Sequence, residues 1–205
     1  MSDGTYSDCT IKVTDSDGNA SNTLSVPSFI VDTTTSSSSS SSSSVETFVA
    51  VGSSGTIIRS SDNGSSFDNA TSPTGNWLVG VTSGNNSFVG VGQSGNIVRS
   101  TDNGSSWDNA TSPTANTLYG VTIGNNTFVG VGNSGNIVRS TDNASSWDNA
   151  TSPTANSLNG VTFGNNTFVG VGNSGNIVRS TDNGSSWDNA TSPTGNHLYG
   201  VTFSE

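Results

Sequence analysis

The sequence predicts an all-β protein, a β-propeller of four-stranded blades that follows a short β segment, and three observations support this fold class. A 40-residue unit recurs from Phe48 onward. Each copy contains four short stretches of strand-forming residues, separated by Gly- and Asn-rich turns. Only 29% of the residues are hydrophobic, which suits short strands and many turns better than a thick α/β core.

The repeat is nearly invariant in its middle copies. The copies span residues 48–87, 88–127, 128–167 and 168–205. The second and third copies differ at five positions and are identical at the other 35. A fixed period of this length is typical of stacked supersecondary units, each too small to bury a core alone. A residue that is present in every copy is therefore explained first by the architecture of the blade.

Four strands are predicted for the blade that spans the first two copies. They are residues 78–83, 87–91, 96–100 and 106–110. The segments between them, at 84–86, 92–95 and 102–104, are rich in residues that accept positive φ. Four short antiparallel strands joined by tight turns form the blade of a propeller.

Every copy carries the pattern Ser-x-Asp-x-Gly-x-x-Trp or a close variant of it. If Asn103 and Gly104 are the central residues of a hairpin turn, both need positive φ, which Asn and Gly tolerate best. Asp102 is then expected to accept backbone N–H groups, and Trp107 to pack between blades. The residues that we assign to this structural pattern are Ser60, Asp62, Gly64, Phe67, Ser100, Asp102, Gly104, Trp107, Ser140, Asp142, Trp147, Ser180, Asp182, Gly184 and Trp187.

Two copies depart from the pattern. The third has Ala144 in place of glycine, and a Cβ in a left-handed turn costs about 1 kcal/mol. The first has Phe67 in place of tryptophan, an apolar exchange that packing tolerates. The hairpin register also sets Arg99 opposite Asp108, which predicts a cross-strand ion pair.

The pattern resembles the Asp-box, also called the BNR repeat, of sialidases. The fuller run at 88–107, Phe-Val-Gly-Val-Gly-x-Ser-Gly-Asn-Ile-Val-Arg-Ser-Thr-Asp-Asn-Gly-Ser-Ser-Trp, is similar to repeats of the photosystem II assembly factor family. The resemblance covers about residues 45–203 and implies a propeller. It implies no single function, because Asp-box propellers serve hydrolases, assembly factors and adhesive surface proteins.

Three segments are predicted from composition. Residues 1–32 contain Val-Thr-Asp-x-x-Gly-Asn-x-Ser and Val-Asp-Thr-Thr, and they resemble the last strands of a bacterial immunoglobulin-like repeat. Residues 33–44 form a Thr/Ser-rich stretch that is typical of a flexible linker. Residues 45–205 form the propeller. The stalk-like arrangement favours an extracellular or cell-surface location.

Charge and cysteine content exclude several classes of partner. The formal net charge is −10 with five basic residues, too few to neutralise nucleic acid or an anionic membrane surface. No apolar run approaches the roughly 20 residues that a membrane span needs. Cys9 is the one cysteine in the chain, so no internal disulfide is possible, and neither a metal site nor a cofactor is predicted.

An enzymatic function is not favoured by the charged residues. The resemblance to sialidases implies three arginines, a Tyr/Glu pair and an acid/base Asp at non-equivalent positions. The propeller arginines here are all repeat-equivalent: Arg59, Arg99, Arg139 and Arg179. Glutamate occurs at positions 46 and 205 alone. A sialidase-like glycoside hydrolase of the Asp-box class is the alternative to a non-catalytic module.

The positions that vary between copies are the candidates for ligand binding. They are 77/117/157/197 and 79/119/159/199, at the start of the strand expected to be innermost. Aromatic or imidazole side chains there are suited to stack on a sugar or to hold a peptide. The candidate contacts are Trp77, Tyr119, His197 and Tyr199. The competing interpretation is sequence drift at loosely constrained surface positions.

Twelve Asn-x-Ser/Thr patterns occur in the chain, a number that its Asn, Ser and Thr content largely explains. Four of them fall on the predicted outermost strand, where a glycan would cover an exposed edge. These candidate glycosylation sites are Asn69, Asn109, Asn149 and Asn189.

The phase of the repeat predicts how the ring closes. Residues 198–203 are expected to supply the first strand of the first blade and so to tie the two ends together. The same complementarity between chains would give eight-bladed dimers or a head-to-tail polymer. We therefore expect a non-catalytic module that binds a protein or glycan ligand or self-associates.

Overall fold

The computed structural model describes residues 4–6, 10–11, 14, 16–20, 24–25, 29–31 and 46–204. The chain divides into two compact units, Met1–Val45 and Glu46–Glu205. Cys9 and the predicted linker at 33–44 lie outside the described residues.

The N-terminal unit contains two small antiparallel strand pairs. Strand β1 (Gly4–Tyr6) pairs with β4 (Phe29–Val31), and β2 (Thr10–Ile11) pairs with β3 (Leu24–Ser25). A turn at 16–18 places Gly18 at a φ of +87°. The immunoglobulin-like assignment of this unit stays a prediction.

The second unit is all-β and consists of four successive antiparallel sheets, the blades. The first blade contains β5 (Phe48–Val51), β6 (Ile57–Ser60) and β7 (Asp68–Asn69). The second contains β8 (Leu78–Gly84), β9 (Ser87–Gly92), β10 (Ile97–Ser100) and β11 (Asp108–Ala110). The third contains β12 (Leu118–Gly124), β13 (Thr127–Gly132), β14 (Ile137–Ser140) and β15 (Asp148–Ala150). The fourth contains β16 (Leu158–Gly164), β17 (Thr167–Gly172), β18 (Ile177–Ser180) and β19 (Asp188–Asn189).

The turns within a blade use the backbone freedom that the sequence predicted. Between β8 and β9, Asn85 and Asn86 both have positive φ, 50° and 58°. Between β9 and β10 a short 3₁₀ turn, Gln93–Gly95, places Gly95 at a φ of 68°. A Cβ on Gly95 would also collide with the carbonyl oxygen of Thr114, so both conformation and space require glycine.

The hydrophobic core lies between blades rather than within them. One buried cluster combines Val91 and Ile97 of the second blade with Leu118, Phe128 and Trp147 of the third. The other two clusters join the first blade to the second and the third to the fourth in the same way. Because each apolar face needs a neighbouring blade, the four sheets form one cooperative array.

Neighbouring blades approach most closely along their first strands, β8, β12 and β16. A Cβ on Gly80 would stand 3.1 Å from the carbonyl oxygen of Tyr119 in the next blade. At the other end of the same strand, a Cβ on Gly84 would stand 2.7 Å from Ile123 Cγ2. We call the row formed by these strands the inner edge of the array.

The two ends of the array are not joined as the sequence predicted. Residues 198–203 form no assigned strand, and within the described residues β5 pairs with β6 alone. Leu198 N donates to Gly172 O at 3.0 Å, and Phe203 covers Gly164. These contacts seat the segment against the fourth blade, because each first strand packs on the preceding blade as well as on its own sheet.

The inner edge gives a test of this packing. We expect Gly124→Ala to lower the free energy of unfolding by about 1–3 kcal/mol, because the added Cβ would overlap the ring of Phe163. Chemical denaturation measures the change. The matched control is Gly75→Ala, where a Cβ meets nothing within 4 Å and stability should stay within about 0.5 kcal/mol. Equal effects of the two substitutions would contradict the close approach at the inner edge.

Candidate functional site

The Asp-box turn has the conformation that its sequence predicts. Asn103 and Gly104 have φ of 61° and 79°, and Ser105 N donates to Asp102 O at 3.4 Å. The strands on either side pair with Arg99 opposite Asp108, as expected. The ladder ends at that pair, so β11 begins at Asp108 rather than at the predicted residue 106.

Serine hydroxyl and backbone N–H groups surround the Asp102 carboxylate. Ser100 Oγ and Ser106 N donate to Oδ1 at 2.8 and 2.9 Å, and Ser106 Oγ donates to Oδ2 at 2.6 Å. The side-chain hydrogen bond from Ser106 is the main reason that the pKa of Asp102 falls from 3.8 to about 2. The pKa values of Asp62, Asp142 and Asp182 are lowered to about 2 by equivalent bonds. These four carboxylates organise turns.

The same turn holds its tryptophan. Ser100 Oγ accepts the N–H of Gly104 at 2.9 Å, and Trp107 Nε1 donates to Gly104 O at 3.1 Å. Trp107 is 6% exposed, and its ring lies 6.3 Å from that of Phe88. The indole thus reaches the core between blades with its one polar atom bonded to the turn.

The turns of the second, third and fourth blades dock on the preceding blade, a role that the sequence did not reveal. Arg59 Nε of the first blade donates to Asn103 O of the second at 2.7 Å. Arg139 Nε makes the same bond to Asn183 O at 2.8 Å. Asn183 Nδ2 in turn donates to Thr127 Oγ1 at 2.6 Å. The arginine and the asparagine occur in every copy, and Thr127 is matched by threonine or serine, so differences between copies gave no signal for this contact.

The predicted ion pair between Arg99 and Asp108 is not formed, although the two residues face each other in the ladder. The equivalent arginines Arg59 and Arg139 turn instead toward the next blade. A bond to a carbonyl at a packed interface also buries the aliphatic stem of the arginine, whereas an exposed ion pair contributes roughly 0–1 kcal/mol.

Ala144 disturbs one of these interfaces. Its φ is 61°, and its side chain is fully buried. At the equivalent Gly104, a Cβ would stand 3.3 Å from Arg59 Cδ of the preceding blade. Arg99, the arginine that faces Ala144, has a buried Nε with no hydrogen-bond partner. The methyl group of Ala144 therefore strains the left-handed turn. It also leaves Arg99 without the hydrogen bond that Arg59 forms at the equivalent interface.

Phe67 differs from the three tryptophans in exposure. Its side chain is 45% exposed, whereas Trp107, Trp147 and Trp187 are each 6% exposed. The tryptophans pack against a preceding blade, and the described residues place no blade before the first. Phe therefore replaces Trp at the copy in which the aromatic ring does not pack against a preceding blade.

The variable positions lie at the inner edge, and one of them occupies a β-bulge. In the third blade the pairing of β12 with β13 shifts between Leu118 and Gly120, which leaves Tyr119 as the bulged residue. Bulges re-aim side chains and often occur beside binding sites. Trp77 and Val79 are 55% and 48% exposed, and Tyr199 is 74% exposed.

The structure brings two of the four candidate contacts together. The rings of His197 and Tyr199 lie 6.4 Å apart, edge to face, and His197 Nδ1 accepts the N–H of Ser174 at 3.1 Å. No ring contact joins Trp77 or Tyr119 to this pair among residues 46–204. In the fourth blade the variable residue is structural, since Asn159 Nδ2 donates to Leu198 O at 2.8 Å.

The four candidate glycosylation sites are exposed on the outermost strands, but three of their amides bind the preceding blade. Asn109 Nδ2 donates to Pro73 O at 3.0 Å, and Asn149 Nδ2 donates to Pro113 O at 3.1 Å. Asn189 makes the equivalent bond to Pro153 O at 3.3 Å. These contacts give the invariant asparagines a structural role, and glycosylation stays a prediction.

The described residues contain no group of three or more His, Cys, Asp or Glu side chains placed to hold a metal ion. In the same part of the chain, no helix has the length and apolar character that a membrane crossing requires.

Comparison with known proteins identifies the fold. No family model and no curated relative matches the sequence. The structure is similar to YCF48 bound to D1 peptide, with 18% identity, a TM-score of 0.61, and coverage of 78% of this chain and 54% of that chain. It is also similar to an ancestral GH74 enzyme, with 19% identity, a TM-score of 0.60, and coverage of 73% of this chain and 23% of that one. The computationally designed Ika8 protein matches with 11% identity, a TM-score of 0.63, and coverage of 78% and 50%.

These likenesses show the β-propeller fold. The chain spans about half the length of the YCF48 and Ika8 structures and about a quarter of the GH74 enzyme. They comprise both a peptide complex and an enzyme, so the fold by itself does not select a function.

The disturbed interface at Ala144 predicts a stabilising substitution. We expect Ala144→Gly to stabilise the protein by about 1 kcal/mol, because glycine removes the left-handed penalty and lets Arg99 Nε reach Asn143 O. A gain of that size corresponds to a melting temperature about 2–4 °C higher in differential scanning calorimetry. The matched control is Gly184→Ala, which should lower the melting temperature by breaking the bond of Arg139. An unchanged or lower melting temperature for Ala144→Gly would contradict the geometry.

The hydrogen bonds to the Asp-box carboxylates predict loss of stability in acid. Since the folded-state pKa of Asp102 is depressed from 3.8 to about 2, its contribution is complete above the unfolded value and is lost as pH falls through about 2. Ser106→Ala removes the largest cause of the shift and should raise the pKa of Asp102. Carboxyl NMR titration measures this change. Ser105→Ala is the control, because Ser105 bonds to the carboxylate through its backbone N–H. An unmoved Asp102 titration in Ser106→Ala would be the contrary result.

Proposed function

We propose that the chain is a non-catalytic, extracellular binding module that holds an extended segment of another protein at the inner edge of its blades. The observation that carries this proposal is the exposure of large apolar side chains where the copies disagree. Trp77, Val79 and Tyr199 are 55%, 48% and 74% exposed. The other exposed large apolar side chains in 46–204 are Phe48 and Phe67 of the first blade and Phe203 of the C-terminal segment.

The charge of the chain favours a basic segment as ligand. The formal net charge is −10, and hydrogen bonds hold the four Asp-box carboxylates ionised down to a pH of about 2. Opposite charge raises the rate of encounter with a basic partner. Lys and Arg side chains also pack on the faces of exposed Trp and Tyr rings. A basic, extended peptide therefore complements both the negative charge of the chain and its exposed aromatic side chains.

The charged groups of the propeller do not favour catalysis. A retaining or inverting glycosidase needs a carboxylic acid with a raised pKa beside a second carboxylate. The Asp-box carboxylates have lowered pKa values and bind their own turns. Arg59 and Arg139 are used between blades and do not converge on one pocket. The similarity to a peptide-bound propeller supports the binding of a protein segment.

The proposal is tested by selecting ligands without prejudging their sequence. We expect a phage-displayed random peptide library to yield basic peptides that bind the purified 205-residue chain. In calorimetric titrations, Trp77→Ala should bind a selected peptide with an affinity at least about tenfold lower. Truncation of an aromatic anchor causes a loss of this size. Asn69→Ala, an exposed change on the outermost strand, is the control and should bind as the unaltered chain does.

A glycan array and a set of fluorogenic glycosides, run in parallel, address the alternatives. Turnover of any glycoside would overturn the non-catalytic assignment in favour of the hydrolase. Binding to glycans with no peptide enrichment, or peptide binding that Trp77→Ala leaves intact, would overturn the assignment of ligand and surface.

A further inference from the structure

We propose that two copies of this chain complete each other, residues 198–204 of one copy providing the missing first strand of the other copy's first blade. The result is a closed ring in which each of two composite blades contains strands from both chains. This inference concerns the ends of the array. It shares Tyr199 with the surface proposed for binding and does not otherwise rest on that proposal.

The first blade lacks the strand that the other three possess. In the second, third and fourth blades, a seven-residue strand covers the inner side of the second strand of the sheet. Within the described residues β5 has no such partner, and Phe48 on β5 is 48% exposed. The equivalent Phe128 and Phe168 are fully buried. A groove of about 310 Å³ lies between β5 and β8, where a first strand would run.

Residues 198–203 have the sequence of a first strand, but the described residues include no second strand that pairs with them. Their sequence, Leu-Tyr-Gly-Val-Thr-Phe, matches residues 118–123 of β12 at five of six positions. Leu198 N donates to Gly172 O at 3.0 Å, as Leu78 N does to Gly52 O at 3.0 Å. One side of the segment thus has its native contacts, while Tyr199 is 74% exposed and a Cβ on Gly200 would meet open space.

The pairing register of the existing blades matches the two ends to each other. In the fourth blade Phe163 pairs with Phe168, and their rings lie 4.6 Å apart. The repeat carries this pair over to Phe203 and Phe48, which are 45% and 48% exposed in the single chain. Phe48 and Phe203 thus occupy positions that pair in a complete blade, but in the single chain neither is covered by the other.

The side chains at the junction are adjusted in size. Inside the array, Gly84, Gly124 and Gly164 have no room for a Cβ, because Ile123, Phe163 and Phe203 press on them. In the composite blade the equivalent contact joins Ser204 to Ser83, two small residues that differ from the internal pattern in a compensating way.

The chain's own preceding residues are a poorer match for the groove. One period before 78–84 stand residues 38–44, all of them serine. The first strand of every other blade contributes a leucine that is 3% exposed or fully buried: Leu78, Leu118 and Leu158. Serine cannot replace that apolar contact, whereas Leu198 of a second copy can.

The new interface repeats the composition of the existing ones. Between the third and fourth blades, Val131 and Ile137 meet Leu158, Phe168 and Trp187. At the junction, Val171 and Ile177 of the fourth blade would meet Leu198 together with Phe48 and Phe67 of the second copy. Phe67, now 45% exposed, would be covered as the tryptophans are.

Two-fold symmetry closes the assembly without leaving a free edge. Two chains supply six complete blades and two composite blades, eight in all.

The test is the solution mass of the 205-residue chain by analytical ultracentrifugation over a range of concentrations. We expect twice the mass of one chain. Phe48→Glu and Phe203→Lys should each shift the protein to monomer, because each places a charge in both junctions of a homodimer. Both side chains are about half exposed in the single chain, so its fold is retained, and circular dichroism checks this. Asn69→Glu and Asn69→Lys carry the same charges on the outermost strand and should remain dimeric.

Mixing the Phe48→Glu and Phe203→Lys variants is the decisive experiment. In a heterodimer one junction has Phe203 against Phe48, as in the unaltered chain, and the other has Lys against Glu. We expect the mixture to recover the dimer mass.

Three results would overturn the proposal. A monomer at every concentration would show that β5 is covered within one chain or left open. A mass that grows without limit would indicate an open head-to-tail polymer. A dimer insensitive to both Phe48→Glu and Phe203→Lys would place the contact elsewhere.

Discussion

The interface between neighbouring blades is the constraint on which the rest of the structure depends. A blade of short strands has apolar faces that it cannot bury alone, and every core cluster draws on two blades. The Asp-box turn belongs to this interface as much as to its own hairpin. Its backbone carbonyl accepts the arginine of the preceding blade, and its tryptophan enters the shared core. Local turn chemistry and long-range packing therefore act on the same residues.

Because the same residues serve both the turn and the interface between blades, they tolerate few substitutions. Gly104 and Gly184 serve a left-handed turn and leave room for an arginine of the preceding blade. Ala144 satisfies neither condition, and Arg99 is the side chain left without its hydrogen bond. At positions 77 and 79 the side chains are about half exposed, whereas Asn159 and His197, at the equivalent positions of later copies, form hydrogen bonds.

The scaffold also separates two surfaces with different chemistry. The inner edge presents exposed Trp77 and Val79 in an acidic protein, a combination suited to a basic extended ligand. The two ends of the array present Phe48 and Phe203, which are repeat-equivalent to a packed pair within the fourth blade. We therefore expect substitutions at positions 77 and 79 to affect the proposed ligand binding without affecting the proposed assembly. The four Asp-box aspartates bind their own turns, and Arg59 and Arg139 bind the next blade.

The sequence by itself determined the number of repeats, the strand order within a blade, the turns that need positive φ, and the pairing of Arg99 opposite Asp108. These follow from a fixed period and from residues that stand close together in the chain. The tertiary structure alone decided that the arginines bind across to the next blade, 44 residues away, and that 198–203 lies against the fourth blade. A nearly invariant repeat shows which residues are present in every blade, but it does not show whether such a residue contacts its own blade or the next one. That choice depends on how one blade packs on the next.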